Sequence, residues 1–383
     1  MKRAISMSAI ILSVVMAGCG NRSNPPAEII TVDVNASYPE KELILQDFMD
    51  VEYIPLETTN EFITQGFVAA VGKNVILVTN QSTNGDIFLF DKTGKGLRKI
   101  NRLGHGGEEY SGFFGIVLDE SKNEMFVVDY PVRKILVYDL FGSFKRSFDF
   151  ADTSYYEYIF NYDKDNLICF KSYSPSDETN ESCHLLVSKK DGSITREIQL
   201  PIGEVQTPVW MKEGVVVQPE FCRSIPSRDG WLLTRTSSDT VYNYLPDGDV
   251  SPLIACTPST QTMDPQVFLY PTVITNRYYF MKTLKKEFDI ERRKGFPTTD
   301  LVYDNQEKAI FQYSVLNNDY SEEMPVAMKW GFANQEIATC VSLNAFDLIE
   351  ANEEGHLKGK LKEIASKLDE DSNSVIMLVK HKK

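Results

Sequence analysis

Five segments of the chain repeat one pattern, in which a short β-rich run, a polar turn and a second run follow each other. The turns end at residues 94, 142, 192, 248 and 307, so they are spaced 48, 50, 56 and 59 residues apart. Asp opens such turns because its side chain bonds the nearby backbone, and Gly supplies the positive φ at the end. Glu307 takes the place of the glycine in the fifth turn, which is therefore the weakest copy.

Two further strand-like runs precede the turn in the first three copies. They are rich in Val, Ile, Phe and Tyr and are separated by Gly, Asn and Asp, which is typical of strands and their turns. The runs are Phe67–Val71 and Val75–Thr79, Gly115–Leu118 and Met125–Asp129, and Tyr156–Tyr162 and Asn166–Phe170. Four antiparallel strands that recur about every fifty residues indicate a propeller blade, since the helical repeat families have shorter units.

The two ends of the chain supply the material for a sixth blade. Val51–Leu56, Glu336–Val341 and Val375–Val379 are strand-like, and Leu357, Leu361, Ile364, Ala365 and Leu368 share one helical face. A blade built from both ends would close the ring and hide the edges of an open array. We therefore predict an all-β fold over residues 43–383, a six-bladed β-propeller of four-stranded antiparallel blades with a short C-terminal helical insertion in the last blade. Separate β-sandwich domains are the alternative.

The N-terminus predicts export. Lys2 and Arg3 precede a mostly apolar run, Ile5–Met16, that is too short to span a bilayer. Ala17 and Gly18 then lead directly to Cys19, so residues 1–18 resemble a bacterial lipoprotein signal. The resemblance implies cleavage before Cys19, lipidation of its sulfur and a membrane partner through the lipid. We expect residues 19–42 to hold the domain at the outer membrane, facing the periplasm. An ordinary signal peptide with an incidental cysteine is the alternative.

The charge and the cysteines exclude several functions. With 40 basic and 54 acidic residues, the net charge of -14 argues against nucleic-acid binding. Cys169, Cys183, Cys222, Cys256 and Cys340 follow the signal, and an odd number leaves at least one unpaired in an oxidising compartment. Cys169 and Cys183 are placed to face each other across a hairpin and could form a disulfide. It is at least as plausible that all five cysteines are buried free thiols. No CxxC or Cys/His spacing predicts a metal, and nothing predicts a cofactor.

The whole pattern resembles a family of six-bladed β-propeller lipoproteins of Gram-negative bacteria, related in architecture to NHL-repeat propellers. The resemblance is carried by Tyr53–Thr58, by Gly104–Tyr110, by the repeated turns and by the helix before a Val-rich final strand. The family often has Gln-Gly-Pro-Gly-Glu-Tyr near the second of these segments, whereas this chain has His105 and no Pro. The resemblance implies a fold and a cellular location, but it implies no reaction.

Candidate ligand-binding residues lie in the loops that a propeller places at the mouth of its channel. The loop Gly104–Tyr110 enters the second blade, and we predict that His105 and Glu108 bond a ligand while Tyr110 stacks on it. The alternative is a glycine-rich turn in which Glu108 caps backbone amides and Tyr110 packs between blades. Tyr130 and Arg133, in a loop between second and third strands, are further candidates.

The segment Leu284–Thr298 is the longest of these loops. It carries five bases and three acids together with Phe288, Ile290 and Phe296, and we predict a lid or docking arm that includes Arg292, Arg293 and Phe296. An insertion folded against its own blade is the alternative. Arg223 and Arg235 are candidates for binding a carboxylate or sugar acid, since Arg forms two bonds at once; surface salt bridges are the alternative.

The sequence lacks strong signs of catalysis. Its four histidines, residues 105, 184, 356 and 381, do not suggest a three-His metal centre, and no GxSxG or calcium loop is present. We therefore expect a noncatalytic propeller that binds a glycan, peptide or envelope protein on its channel-mouth face. The alternatives are an envelope hydrolase or lyase with carboxylates from several blades, and a structural module of an outer-membrane complex.

Overall fold

The computed structural model describes residues 29–382 except for 81–83, 152–154, 173–182, 202–208, 213–214, 218, 220–221, 236–237, 289–294 and 330–333. The predicted signal and Cys19 thus lie outside the described residues. In the described part, six of the seven sheets are the blades of a propeller, which confirms the predicted six-bladed fold.

The first elements of the chain belong to blades that are completed much later. They are β1 (Ile30–Asp33), β2 (Glu40–Ile44), the one-turn helix α1 (Leu45–Phe48) and β3 (Met49–Pro55).

Blades one to three are four-stranded and antiparallel, as predicted. Blade one contains β4 (Phe67–Val71), β5 (Val75–Thr79), β6 (Asp86–Asp91) and β7 (Gly96–Asn101). Blade two contains β8 (Gly115–Asp119), β9 (Glu124–Asp129), β10 (Lys134–Asp139) and β11 (Phe144–Asp149). Blade three contains β12 (Tyr155–Asn161), β13 (Asn166–Ser172), β14 (Cys183–Ser188) and β15 (Ile194–Ile198).

The connection to blade four carries a two-stranded hairpin, β16 (Trp210–Lys212) and β17 (Val215–Val217). Blade four contains β18 (Ser224–Pro226), β19 (Trp231–Leu233), β20 (Thr240–Tyr244) and β21 (Val250–Thr257). Blade five contains β22 (Val267–Ile274), β23 (Tyr278–Lys285), β24 (Thr298–Asp304) and β25 (Ala309–Leu316). Short 3-10 turns occupy Glu120–Lys122 and Thr260–Thr262.

Blades four and five each gain a fifth strand from the N-terminal segment, where the sequence predicts four. β1 pairs in parallel with β21, and β2 pairs in parallel with β25. Both strands cover the outer edge of a blade, which would otherwise present unpaired backbone groups. Strand pairing within the described residues therefore includes Ile30–Asp33, which lies before the predicted start of the propeller at residue 43.

Blade six closes the ring from both ends of the chain, and its described residues form three strands. Its members are β26 (Ile337–Leu343), β27 (Val375–His381) and β3, with β27 in the middle. Two helices, α2 (Ala345–Glu353) and α3 (Gly359–Ala365), connect β26 to β27, where the sequence predicts one.

β26 runs opposite to the innermost strand of blade one, β4. Near the end of β4, the Asn334 side-chain amide, just before β26, donates to the Val71 carbonyl at 3.1 Å. Near the start of β4, Gly66 lies so close to the end of β26 that an added Cβ would be 2.6 Å from the Ser342 hydroxyl.

The repeated turns form as predicted from local chemistry. Gly94, Gly142, Gly192 and Gly248 all have positive φ, between 76° and 95°. In the fifth turn the left-handed residue is Lys308 (φ 53°), one position after Glu307. Apolar clusters fill the spaces between neighbouring blades.

The predicted pairing of Cys169 with Cys183 has no support in the strand register. Cys169 lies opposite Leu185, and Cys183 lies opposite Lys171. Cys222 and Cys256 are buried thiols, and burial raises the pKa of each to about 12.

Candidate functional site: the channel and its mouth

The innermost strands of blades one to three form most of the wall of a channel of about 860 Å³. We call the end where β4, β8 and β12 begin the mouth, and the end where they finish the base. Both the connections between blades and those between second and third strands lie at the mouth. The wall is mainly apolar, with side chains such as Val68, Ile116, Val117 and Ile159, whereas Lys73, Glu120 and Glu336 lie at the base.

Two of the acidic groups at the base, Glu120 and Asp119, are engaged in structural contacts. Glu120 accepts hydrogen bonds from the backbone amides of Lys73 (2.5 Å) and Asn74 (2.9 Å), which joins blades one and two. The carboxylate of Asp119 accepts a 2.6 Å hydrogen bond from Lys189 of blade three. These two carboxylates therefore tie neighbouring blades together.

Three aromatic rings form a row at the mouth. Tyr130 lies between Phe114 (ring centroids 5.1 Å apart) and Tyr155 (4.8 Å), and the planes of each pair differ by about 30°. The guanidinium of Arg133 lies 5.8 Å from the Tyr155 ring. Phe114 is 65% exposed and also lines the channel, so the aromatic row continues the channel wall outward. The structure thus brings together Tyr130 and Arg133, two residues selected from the sequence.

The entry loop of blade two is largely a structural turn. Tyr110 is completely buried, donates from its hydroxyl to the Gly85 carbonyl (2.6 Å) and accepts from the Arg102 amide (2.9 Å). Stacking of Tyr110 on a ligand is therefore wrong, and its alternative, packing between blades, is correct. The carboxylate that caps the loop belongs to Glu109, which accepts from the Gly106 amide at 2.9 Å.

His105 and Glu108 stand exposed on the same loop. The backbone carbonyl of Glu108 accepts a 2.7 Å hydrogen bond from the hydroxyl of Tyr138, and this bond holds the loop in place. Both side chains remain predicted ligand contacts.

Arg223 and Arg235 are buried, not surface residues. Arg223 donates to Glu157 at 2.5 Å and lies 4.6 Å from the Phe170 ring, while its carbonyl bonds the His184 ring at 2.9 Å. These contacts join blades three and four. Arg223 is therefore engaged in a structural ion pair, and its role in ligand binding remains a prediction.

The longest mouth loop folds against its own blade at both ends. Phe296 packs on the cluster of Phe268, Tyr270 and Leu284, as the alternative reading of this segment expects. Phe288 contacts Phe296 (5.7 Å) and also Trp210 of the β16–β17 hairpin (5.0 Å). The mouth loop of blade five and the β16–β17 hairpin therefore contact each other. Ile290, Arg292 and Arg293 lie outside the described residues.

Exposed apolar side chains concentrate at the mouth. Of the thirteen large hydrophobic residues that are exposed in the described part of the chain, nine lie in or beside its connections. They are Ile63, Phe67, Leu103, Phe114, Val132, Tyr155, Met211, Val216 and Met324. Met211 and Val216 are directly opposite each other in the hairpin and are 71% and 61% exposed.

Among the residues that the structure describes, no group of three or more His, Cys, Asp or Glu side chains is placed to bind a metal ion. No helix in that part of the chain is both long and apolar enough to cross a membrane.

The fold and its channel define a six-bladed β-propeller. The chain belongs to the DUF5128 family, described as a 6-bladed beta-propeller, whose family model matches residues 20–339. No curated protein matches the chain.

One solved structure supports the same architecture, and two more distant ones are reported beside it. A Bacteroides fragilis protein named as an exported protein is 15% identical, with a TM-score of 0.58 over 93% of this chain and 100% of that chain. A Bacteroides vulgatus member of the DUF4221 family is 10% identical, with a TM-score of 0.44 over 88% of this chain and 98% of that one. Virginiamycin B lyase from Staphylococcus aureus is 12% identical, with a TM-score of 0.37 over 73% and 90%. These likenesses concern the fold, and the last two are too distant to carry an argument.

Proposed function

We propose that this protein is an exported, noncatalytic binding propeller that holds a glycan, peptide or protein partner on its channel-mouth face. The observation that carries the proposal is the concentration of exposed apolar side chains around the open channel. Soluble proteins rarely leave large contiguous apolar patches exposed, and such patches mark ligand or partner sites.

The chemistry of the mouth suits a ligand that combines apolar faces with polar groups. The row of Phe114, Tyr130 and Tyr155 offers flat apolar area, and rings of this kind dominate the energetics of interfaces. His105, Glu108 and Arg133 supply polar groups beside it. The Met211–Val216 pair extends the surface toward blade four.

Two of the channel carboxylates, Asp119 and Glu120, support binding over acid–base catalysis. A general acid or base must reach the substrate proton, but Asp119 is bound to Lys189 and Glu120 to two backbone amides. The engagement of these two groups therefore favours a ligand that is held and not transformed.

The proposed location is the cell envelope, with the chain anchored through lipid on Cys19 at the outer membrane. If Cys19 carries the lipid, the Cys19→Ala variant should remain unprocessed or become soluble in the envelope fraction. Unchanged detergent partitioning together with unchanged labelling by a fatty-acid analogue would contradict the anchor.

A glycan and peptide array probed with residues 19–383 tests the binding role. We expect specific hits that weaken when Met211 and Val216 are both changed to Ser. The matched control changes Leu97 and Phe141 to Ser, because these exposed side chains lie away from the mouth in blades one and two. Equal binding by the mouth variant, or no hit at all, would contradict the proposal.

A further inference from the structure

A glycine lines the channel at a point where the protein itself leaves space. Gly115 is the first residue of the innermost strand of blade two, and a Cβ built on it would meet no atom within 4 Å. Its φ is outside the left-handed region. Glycine weakens a strand, and one usual reason for it there is the close approach of another backbone or a ligand. Here no backbone approaches.

The neighbouring strand is distorted at the same level of the channel. Tyr158 in β12 has a φ of 49°, and the pairing of β12 with β13 shifts between Glu157 and Phe160. The left-handed region strains the backbone of an L-residue, and such strain collects at ligand sites. Tyr158 and Ile159 both line the channel.

One contact sets the relative level of the two features. The side-chain amide of Asn161 donates to the Leu118 carbonyl at 3.4 Å, which aligns β12 with β8. Gly115 and Tyr158 each lie three residues earlier in their strands. The open space beside the glycine and the strained tyrosine therefore belong to one section of the channel, near its mouth.

The chemistry of this section selects the ligand. Its wall includes Val68, Ala69 and Val117 from blades one and two, whereas the charged lining residues lie at the base. A charged ligand would lose hydration in this section without gaining a partner. A volume of about 860 Å³ is within the range of pockets that bury small organic molecules.

We propose that the channel binds an uncharged, mainly apolar small molecule with a ring, held between Gly115 and Tyr158. The inference rests on the proposed binding function and names a ligand class for the channel. The ring fills the space that Gly115 leaves open, and the bulge at Tyr158 shapes the opposite side.

The probe for this site is N-phenyl-1-naphthylamine, a neutral compound with a naphthyl and a phenyl group whose fluorescence rises in an apolar environment. We expect saturable binding of one probe per chain. Gly115→Trp places a large side chain in the open space and should weaken binding about tenfold or more, whereas Gly115→Ala should leave it unchanged. Gly107→Trp is the matched control, because Gly107 also has open space around its Cβ but does not line the channel.

Circular dichroism and melting temperature report whether each variant folds. If Gly115→Trp fails to fold, Gly115→Leu, which adds less volume, decides the question with a smaller expected loss. Wild-type affinity in a folded Gly115→Trp or Gly115→Leu variant would overturn the proposal, as would the absence of saturable binding to the wild type. The Met211→Ser, Val216→Ser double variant separates the two claims: it should keep probe binding while losing the array hits.

Discussion

The ammonium group of Lys189 in blade three donates a 2.6 Å hydrogen bond to the carboxylate of Asp119 in blade two, and both side chains are almost completely buried. Burial alone would raise the pKa of Asp119, but the bonds from Lys189 and Ser121 lower it below its ordinary value. The carbonyl of Lys189 also accepts two bonds from Arg146 (3.1 and 2.7 Å), whose guanidinium pairs with Glu124. The innermost strand of blade two is thus locked to blade three.

Breaking this pair should destabilise the protein strongly. Lys189→Met leaves the Asp119 charge buried without its partner, and we expect a loss of about 3 to 5 kcal/mol in the free energy of unfolding. The double variant with Asp119→Leu should recover much of that loss. Denaturant unfolding measures both.

The exposed pair Lys122–Asp165, with its nearest atoms 3.8 Å apart, provides the control. Lys122→Met should change stability by less than about 1 kcal/mol. Equal losses for the two lysine variants would show that burial does not decide the strength of the Lys189 contact.

Stability should fall on mild acidification because of His184. Burial, together with the nearby Arg223 and Arg235, lowers the pKa of this fully buried ring to about 3. The unfolded chain takes up a proton near pH 6.5, whereas the folded chain does not, so the folded state loses stability as pH falls from about 6.5 toward 3.

His184→Gln removes this titration and retains an amide that can donate to the Arg223 carbonyl. The drop in the free energy of unfolding between pH 7 and pH 5 should be smaller for the variant than for wild type, by about 2 kcal/mol. Identical pH profiles would contradict a buried neutral histidine.

The turns offer a matched pair of backbone tests. At Gly94 (φ 88°), an added Cβ would lie 1.9 Å from the Pro55 carbonyl oxygen, so Gly94→Ala should cost about 2 kcal/mol or more. Lys308 is exposed with a φ of 53°, and Lys308→Gly should stabilise the protein by about 0.5 to 1 kcal/mol. Melting temperatures that do not move in opposite directions would contradict the assigned turn geometry.

Ring closure should depend on the end of the chain. β27 pairs with β26 on one side and β3 on the other, so deletion of residues 375–383 removes the middle of blade six. Because this deletion would expose two strand edges, we expect aggregation or a large fall in melting temperature. A monomer with unchanged melting temperature, seen by light scattering and calorimetry, would refute closure through β27.

Local patterns explain why much of the fold was predictable. Strands such as β4 and β5 have the predicted bounds because alternating apolar runs and turn residues act over a few positions. The pairing of Ile30 with Ile254 joins distant parts of the chain, and no local sequence pattern predicts it. Lys189 lies in a polar turn that looks like a surface feature, although its side chain is buried between blades.

The candidate site was less predictable than the fold. Tyr130 and Arg133 were found because loop position alone places them at the mouth. Phe114 and Tyr155 were missed, since an aromatic residue at the start of a strand looks like ordinary core. The space beside Gly115 depends on the closed ring and has no sequence signal apart from the glycine itself.

Hydrogen–deuterium exchange with and without a saturating array hit tests most directly whether the mouth is the binding surface. We predict slower exchange in the described mouth segments around residues 113–116, 129–134, 155–159, 210–212 and 215–217, with little change in the turns at 91–95, 139–143 and 189–193. Protection confined to those turns, or spread evenly over all six blades, would contradict binding at the mouth.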